Sequence, residues 1–227
     1  MSSQDDDKRA AAWAATEEVA EGMVVGLGTG STAAFLIARL AERVRDGLRI
    51  TAVATSLATA RAATEAGLRV VPFDDLATID LAIDGVDEID SGLRAIKGAG
   101  GAMLREKIVA TAARRMIAIG DGSKRVERLG AMPVPIEVLP LACAFVTEQV
   151  DSLGGLAALR LRDGSPYRTD QDNAVLDCVF RGAFDPDALA AQLSVIPGVL
   201  GHGLFIGEID SAYISTHGVV TRLDRTS

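Results

Sequence analysis

Residues 23–40, MVVGLGTGSTAAFLIARL, begin with a short apolar stretch, pass through a glycine-rich turn and end in apolar residues at helical spacing. A short apolar run followed by such a turn is typical of a buried strand that leads into a helix. The small residues let the chain turn tightly, and backbone N–H groups remain free at the start of the helix. This stretch therefore predicts one strand, loop and helix unit of an α/β protein.

The same alternation extends on both sides of this stretch. Apolar residues at helical spacing predict a first helix over residues 5–20, where an acidic cluster at the beginning interacts favourably with the helix dipole. The following elements are expected in chain order: strand 50–54, helix 57–66, strand 68–72, strand 79–83, helix 102–114 and strand 116–119. Alternation of this kind indicates a doubly wound, Rossmann-like and mostly parallel sheet.

A second, smaller unit is expected after the stretch MPVP that begins at Met132, because proline favours extended or turn backbone there. Its predicted elements are strand 136–139, helix 142–153, strand 156–161, strand 174–180, helix 186–195 and strand 199–205. This order is that of a ferredoxin-like α+β unit. We expect an inserted domain over residues 130–205 and a main domain formed by residues 1–129 and 206–227. The final strand-like segments are expected to return to the edge of the first sheet.

Composition excludes several classes of partner. The chain has 227 residues, a formal net charge of −8 and 4% aromatic residues. Nucleic acids and anionic membranes are bound through clustered Lys and Arg, so this balance argues against both. Cys143 and Cys178 are too few for a disulfide framework and lack metal-ligand spacing. The first residues lack a signal-peptide pattern and no apolar run approaches the roughly 18 residues of a membrane helix, so a cytoplasmic protein is expected.

The glycine-rich turn is the first candidate binding element. Free N–H groups and the hydroxyls of Ser31 and Thr32 at a helix start can hydrogen-bond a phosphate. The turn departs from the dinucleotide pattern GxGxxG, because Ala33 takes the place of the third glycine. A turn without a ligand and a nucleotide-binding oxidoreductase are the alternatives for this motif.

An acidic motif, DGVDEID at residues 84–90, follows the predicted strand 79–83. Side chains at the carboxyl ends of parallel strands face the crevice where open α/β sheets bind ligands. Asp84 and Asp87 can therefore face one substrate together. A solvated acidic turn and a Mg²⁺ site are the alternatives, although no His supports a metal and Lys97 suggests local charge compensation.

Two lysines stand in glycine-containing motifs further along the chain. Lys97 begins KGAGGAMLREK, residues 97–107, which brings a cation, flexible backbone amides and Glu106 together at the start of a helix. Lys124 closes DGSK, residues 121–124, and could meet a phosphate as a point charge. Each motif taken alone is also compatible with an ordinary surface helix or turn.

Taken in order, five motifs make the chain similar to ribose-5-phosphate isomerase of the A type over nearly its whole length. They are GLGTGSTA from Gly26, TSLAT from Thr55, DGVDEID from Asp84, KGAGGAMLREKIVA from Lys97 and DGSK from Asp121. The resemblance implies the following substrate-binding residues: Lys8, Thr29, Gly30, Ser31, Thr32, Asp84, Gly85, Val86, Asp87, Lys97, Gly98, Ala99, Gly100 and Lys124.

The resemblance also implies an activity, the interconversion of D-ribose 5-phosphate and D-ribulose 5-phosphate through an enediolate in the pentose phosphate pathway, without cofactor or metal. Glu106 would move the carbon-bound proton as a general base. Lys97 would stabilise the enediolate, and Asp84 with Asp87 would help to open the sugar ring. A small sugar phosphate as partner and a homodimer or dimer of dimers are implied as well.

Three other functions are compatible with the residues. One is a different sugar-phosphate isomerase or deaminase on a related fold. Another is a non-catalytic sugar-phosphate sensor, which would be expected to carry a DNA-binding module that the acidic chain does not offer. The third is an oxidoreductase, for which the acidic residue expected about 20 positions beyond the glycine turn is not convincingly placed.

Overall fold

The computed structural model describes residues 3–180 and 182–225. Its α-helices are α1 (Ser3–Thr16), α2 (Ser31–Arg45), α3 (Leu57–Glu65), α4 (Met103–Ala112), α5 (Cys143–Ser152) and α6 (Pro186–Ser194), with short 3₁₀ helices at Gly122–Lys124 and Pro140–Ala142. Its strands are β1 (Val24–Leu27), β2 (Thr51–Ala54), β3 (Leu81–Gly85), β4 (Glu88–Ile89), β5 (Ala95–Ile96), β6 (Met116–Asp121), β7 (Val134–Val138), β8 (Gly155–Leu159), β9 (Leu161–Arg162), β10 (Ser165–Pro166), β11 (Ala174–Phe180), β12 (Val199–His202), β13 (Leu204–Phe205), β14 (Ser211–Thr216) and β15 (Val219–Asp224).

A six-stranded sheet in the order β15-β14-β6-β3-β1-β2 forms the centre of the molecule. All neighbouring strands are parallel except β15, which pairs antiparallel with β14 at the edge. The prediction of a doubly wound, mostly parallel sheet is confirmed, and so is the return of the last segments to its edge. Because β1 pairs with β2 on one side and β3 on the other, the strand order reverses there, and ligands bind at such a point.

Apolar layers cover both faces of this sheet. On one face, α2 packs Leu36, Ile37 and Leu40 into the core shared with β1 and β3. On the other face, α4 packs Val109 and Ala110 into a second core. Full burial of a Leu or Ile side chain stabilises a fold by about 1.5–3 kcal/mol, so these layers fix the strand ends in place.

A four-stranded antiparallel sheet, in the order β12-β7-β11-β8, forms the smaller unit. Helices α5 and α6 cover one face, where Val146, Val150 and Leu193 pack on Ile136 and Leu176. The opposite face is turned toward α4, which contacts β12 and β7. The ferredoxin-like order is confirmed.

Two predicted strands differ from the structure. Residues 68–72 make only an isolated bridge, Ala52 with Val70, because the chain enters a turn at residues 74–75 before the pairing extends. The expected strand 199–205 is interrupted at Gly203, whose backbone lies so close to Lys97 that an added Cβ would stand 2.1 Å from the Lys97 carbonyl oxygen. Beyond Gly203 the chain joins a separate three-stranded sheet, β13-β5-β4.

Candidate active site

The candidate site lies where strands β1, β3 and β6 end side by side. The glycine turn follows β1, the acidic motif begins within β3, and the DGSK turn follows β6. Residues 97–102, which connect the short strand β5 to α4, lie at the same edge. The sheet order therefore brings together motifs that are up to about a hundred residues apart in the chain.

A buried lysine between two carboxylates is the chemical centre of this edge. Lys97 Nζ lies 2.9 Å from Asp84 Oδ2 and 3.3 Å from Glu106 Oε2. Lys97 Nζ also donates to the carbonyl oxygen of Gly85. All three charged side chains are at least 96% buried, with exposures of 2% for Asp84, 2% for Lys97 and 4% for Glu106. Such a group is stable only because the charges compensate one another.

Glu106 has the most perturbed acidity in the cluster. Burial, together with the charge of Asp84, raises its pKa to about 8, and Lys97 offsets only part of this effect. Burial alone would lower the pKa of Lys97, but the charges of Asp84 and Glu106 outweigh it, so that this pKa lies above its usual range. Lys97 thus remains a cation, while Glu106 can take up and release a proton near neutral pH.

The strand ends approach closely enough for the backbone to hold Asp84. Asp84 Oδ1 accepts from the N–H of Gly85 at 2.7 Å and from the N–H of Thr29 at 3.1 Å. An added Cβ at Gly28 would stand 1.8 Å from the same oxygen. Gly28 is therefore required for this contact between the glycine turn and β3.

Three hydroxyl groups hold the Thr29 side chain, and the sequence interpretation assigned none of them a role. Thr29 Oγ1 lies 2.8 Å from Thr55 Oγ1, 2.9 Å from Ser56 Oγ and 3.1 Å from Thr59 Oγ1. All three come from the TSLAT motif that follows β2. That motif carried part of the resemblance, and the structure shows that it supports the glycine turn.

The other end of the site is cationic and more accessible. Helix α2 begins at Ser31, and its first residues, Ser31 and Thr32, line the cavity. Gly30 precedes the helix with a φ of 114°, which suits glycine. Lys8 of α1 donates from Nζ to Ser31 Oγ at 3.2 Å, and Lys124 lines the same end. Two ammonium groups and the N-terminus of a helix favour an anion such as a phosphate.

A cavity of about 230 Å³ joins these two ends. The residues that line it are Lys8, Thr29, Gly30, Ser31, Thr32, Gly85, Val86, Asp87, Lys97, Gly98, Ala99, Gly100, Glu106 and Lys124. Asp84 does not line the cavity and lies beneath Lys97. Because cavities for drug-sized ligands span roughly 300–1,000 Å³, this one suits a small metabolite better than a dinucleotide.

The metal interpretation of the acidic motif has no support in the contacts. Lys97 occupies the position beside Asp84 that a cation would take, and Asp87 Oδ2 accepts from the N–H of Ala99 at 2.9 Å. Within residues 3–180 and 182–225, no three His, Cys, Asp or Glu side chains form a group suited to a metal ion. In the same part of the chain, no helix combines the length and apolarity needed to cross a bilayer.

A larger, more open cavity of about 630 Å³ lies between α4 and α6. Two pairs of polar groups lie in it, Lys107 with Glu208 at 2.8 Å and His202 with Ser194 at 3.0 Å. Burial lowers the pKa of His202 to about 4, so this imidazole is neutral. The smaller cavity, which holds Lys97 and Glu106 in contact with each other, is therefore the candidate active site.

Comparisons with known proteins agree with this geometry. The family model described as ribose 5-phosphate isomerase A (phosphoriboisomerase A) matches residues 51–218. The ribose-5-phosphate isomerase A of Sphingopyxis alaskensis is 49% identical over 214 residues, covering 94% of each chain.

Solved structures share the fold over nearly the full chain. A ribose 5-phosphate isomerase from Plasmodium falciparum has a TM-score of 0.94 and 34% identity, covering 98% of this chain and 100% of its own. A D-ribose-5-phosphate isomerase in complex with phospho-erythronic acid has a TM-score of 0.94 and 36% identity, covering 98% of this chain and 99% of its own. The chain belongs to the ribose 5-phosphate isomerase A family.

Proposed function

We propose that the cavity converts D-ribose 5-phosphate to D-ribulose 5-phosphate and back, through an enediolate. The observation that carries this proposal is the buried Lys97 between Asp84 and Glu106, beside a cationic end that suits a phosphate. Aldose-ketose isomerisation moves a proton between adjacent carbons, so it needs one base that can take and return that proton. Glu106 has the burial and the raised pKa for this role.

The proton transfer leaves negative charge on the substrate oxygens, and Lys97 and nearby N–H groups would stabilise it. Lys97 is held in place by Asp84, so it need not reorganise as the charge develops. Glu106 gains the carbon-bound proton while the enediolate forms and then gives it to the neighbouring carbon, as the hydroxyl proton passes from one substrate oxygen to the other. Besides Asp84, the lysine thus faces one negative charge, on Glu106 before the transfer and on the enediolate after it.

The phosphate would bind at the other end of the cavity. The N-terminus of α2, the hydroxyls of Ser31 and Thr32, and the ammonium groups of Lys8 and Lys124 supply donors and charge. Binding energy from the phosphate would position the reacting carbons against Glu106. The ligand phospho-erythronic acid of the solved relative also carries a phosphate and an acid group, which agrees with a site that holds anionic groups.

Opening of the sugar ring would involve Asp87 and, through Lys97, Asp84. Asp87 lines the cavity, whereas Asp84 reaches it only by its contact with Lys97. Asp87 could therefore exchange a proton with a ring hydroxyl directly. Asp84 would balance the charge on Lys97 while this exchange takes place.

The decisive experiment is incubation with ribose 5-phosphate, ribose and arabinose 5-phosphate, scored by ketose formation. We expect product from ribose 5-phosphate alone. The cationic end of the cavity selects the phosphate group, and the buried cluster selects the stereochemistry of the reacting carbon. Release of ammonia from an amino-sugar phosphate, or turnover of unphosphorylated ribose at a similar rate, would contradict the proposal.

A variant of the proposed base, Glu106, tests whether the activity comes from this cavity. Glu106→Gln should lower kcat by roughly 10²–10⁴-fold with little change in KM, because general acid–base catalysis contributes about that much. Glu148→Gln, an exposed position on α5, is the matched control and should keep normal turnover. Normal turnover by Glu106→Gln would rule out its assignment as the base.

The organisation of the chain is also part of this proposal. We propose residues 1–129 and 206–227 as the catalytic domain and residues 130–205 as an inserted domain, since the small sheet has its own apolar core. The setting would be pentose phosphate metabolism in the cytoplasm. Association of two copies is proposed from the membership of the family, and Leu141 and Val195 are exposed apolar side chains that such an interface could cover.

A further inference from the structure

The glycine loop, residues 97–101, contains backbone groups that must be held in one orientation. Gly98 and Gly101 have φ values of 103° and 79°, which glycine adopts readily. Glycines also leave the free chain with many other conformations, so the loop sequence alone does not define where its N–H groups point. Stabilisation of a developing oxyanion requires donors that are already oriented.

Arg160, at the end of β8 in the small sheet, holds two successive carbonyl groups of this loop. Its Nη1 donates to the carbonyl oxygen of Gly98 at 3.1 Å and to that of Ala99 at 3.0 Å. The next carbonyl, that of Gly100, accepts from the hydroxyl of Tyr167 at 3.3 Å. Three consecutive peptide carbonyls are therefore held by side chains of the smaller unit.

The orientation of the carbonyls determines the orientation of the N–H groups. The described peptide bonds are all trans, so each N–H points away from the carbonyl of the same peptide. The Ala99 N–H accordingly points away from Arg160 and donates to Asp87 at 2.9 Å. The Gly100 N–H shares its peptide with the Ala99 carbonyl and finds no acceptor within residues 3–180 and 182–225. Since Gly100 lines the cavity, this N–H is available to a bound oxygen.

Arg160 is itself held firmly. Its Nε donates to Asp177 Oδ2 at 2.9 Å, and Nη2 pairs with the other oxygen of the same carboxylate. This two-point contact fixes the plane of the guanidinium group. Its backbone N–H donates to Val175 at 2.8 Å and its carbonyl accepts from Tyr167 at 2.8 Å. The Arg160 side chain is only 14% exposed.

We propose that Arg160 is a positioning residue for the isomerisation. It acts from the smaller unit by fixing the peptides of Gly98 and Ala99, so that the N–H of Gly100 meets the substrate oxygen on which charge develops. Arg160 does not touch the reacting atoms. This inference rests on the proposed function, and it gives the smaller unit a part in catalysis beyond packing.

The test compares Arg160→Ala and Arg160→Lys with Arg168→Ala in steady-state assays on ribose 5-phosphate. We expect both Arg160 variants to lose roughly 10–100-fold in kcat with a smaller change in KM, because misplacing a donor by about 1 Å can cost 10²-fold. Lysine retains the charge but cannot bridge two carbonyls and Asp177 at once. Arg168 is the control, since it is exposed and pairs with Asp172 of its own loop.

A rescue experiment distinguishes positioning from general stability. Methylguanidinium should restore part of the kcat of Arg160→Ala and none of that of Glu106→Gln, with sodium chloride at equal ionic strength as the reference. Turnover of Arg160→Lys equal to that of Arg168→Ala would overturn the inference. The inference would also be overturned if Arg160→Ala changed only KM. It would be overturned as well if the loss of kcat matched the fraction of protein unfolded at the assay temperature and methylguanidinium restored none of it. If the unmodified protein does not convert ribose 5-phosphate, the proposed function fails first and this inference fails with it.

Discussion

Glu106 shows how strongly a side chain depends on its surroundings. Its neighbours in sequence, Arg105 and Lys107, belong to a charged run that is usual on a solvated helix face. In the fold, Glu106 is 4% exposed and shares Lys97 with Asp84. Burial and the neighbouring carboxylate then raise its pKa to about 8. The same residue type thus acquires a pKa that suits the proposed base close to neutral pH.

The raised pKa predicts the acidic limb of the pH profile. The base works when it is deprotonated, so kcat/KM should be high above the pKa of Glu106 and fall as pH drops through about 8. In Asp84→Asn the residual activity should persist to lower pH, because the charge that raises this pKa is gone and Lys97 pairs with Glu106 alone. Steady-state rates between pH 5 and 10 measure the acidic limb of the unmodified protein and that of Asp84→Asn. A profile of Asp84→Asn with an unshifted limb would contradict this electrostatic coupling.

At the scale of elements, the site depends on loops that leave strand ends at close distance. The turn after β1 must pass within contact of β3, which only a residue without Cβ allows at Gly28. The turn is held from its other side by the hydroxyl groups after β2. Position in the sheet therefore sets the distance between the glycine turn and the acidic motif.

A substitution at Gly28 tests this distance. In Gly28→Ala the new Cβ would lie 2.6 Å from the Cα of Asp84, so β1 and β3 must separate. We expect a loss of about 1–3 kcal/mol in the free energy of unfolding, which is typical of overpacking. Activity should drop by roughly 100-fold as Asp84 and Lys97 shift. Gly207→Ala, where an added Cβ meets nothing within 4 Å, is the control for chemical denaturation and rate measurements.

At the scale of the whole molecule, the smaller unit contacts the elements around the candidate site at the edge of the main sheet. Asp170 accepts from the N–H of Leu57 at the start of α3 at 2.7 Å and lies 3.7 Å from Arg105 of α4. Together with the contacts of Arg160 and Tyr167, these bonds join the unit to α3, to α4 and to the glycine loop. The fold thus couples both sheets through the surroundings of one cavity.

The mass in solution tests the proposed association. Leu141 and Val195 are 90% and 78% exposed, and association of two copies could cover apolar side chains of this kind. Light scattering coupled to gel filtration should give the mass of two copies, about 47 kDa, or roughly twice that for a dimer of dimers. A mass near the 23.6 kDa of one chain at assay concentration would contradict the prediction.

The sequence by itself determined the doubly wound sheet, the ferredoxin-like order and the motifs at the strand ends. The spacing of apolar residues, the glycine-rich turns and the charged motifs are local properties that can be read along the chain. Local patterns failed at residues 68–72, where the pairing ends after one bridge, and at the two-residue strands β5 and β13, which are too short to show an alternation of apolar and polar residues. Of the predicted site residues, Asp84 is the one that the structure places beneath the cavity and not on its wall.

Only the tertiary structure decided the chemistry of the cluster and the part of the smaller unit in it. Lys97 meets Asp84 and Glu106 because the ends of β3 and β5 converge with the first turn of α4. The pKa of Glu106 follows from burial that no local pattern reports. Arg160 stands more than fifty residues from the glycine loop in a run with no motif, yet it holds two carbonyls of that loop. Contacts between residues distant in the chain arise from packing, which is why the sequence alone identified the motifs but not the arrangement that makes them act together.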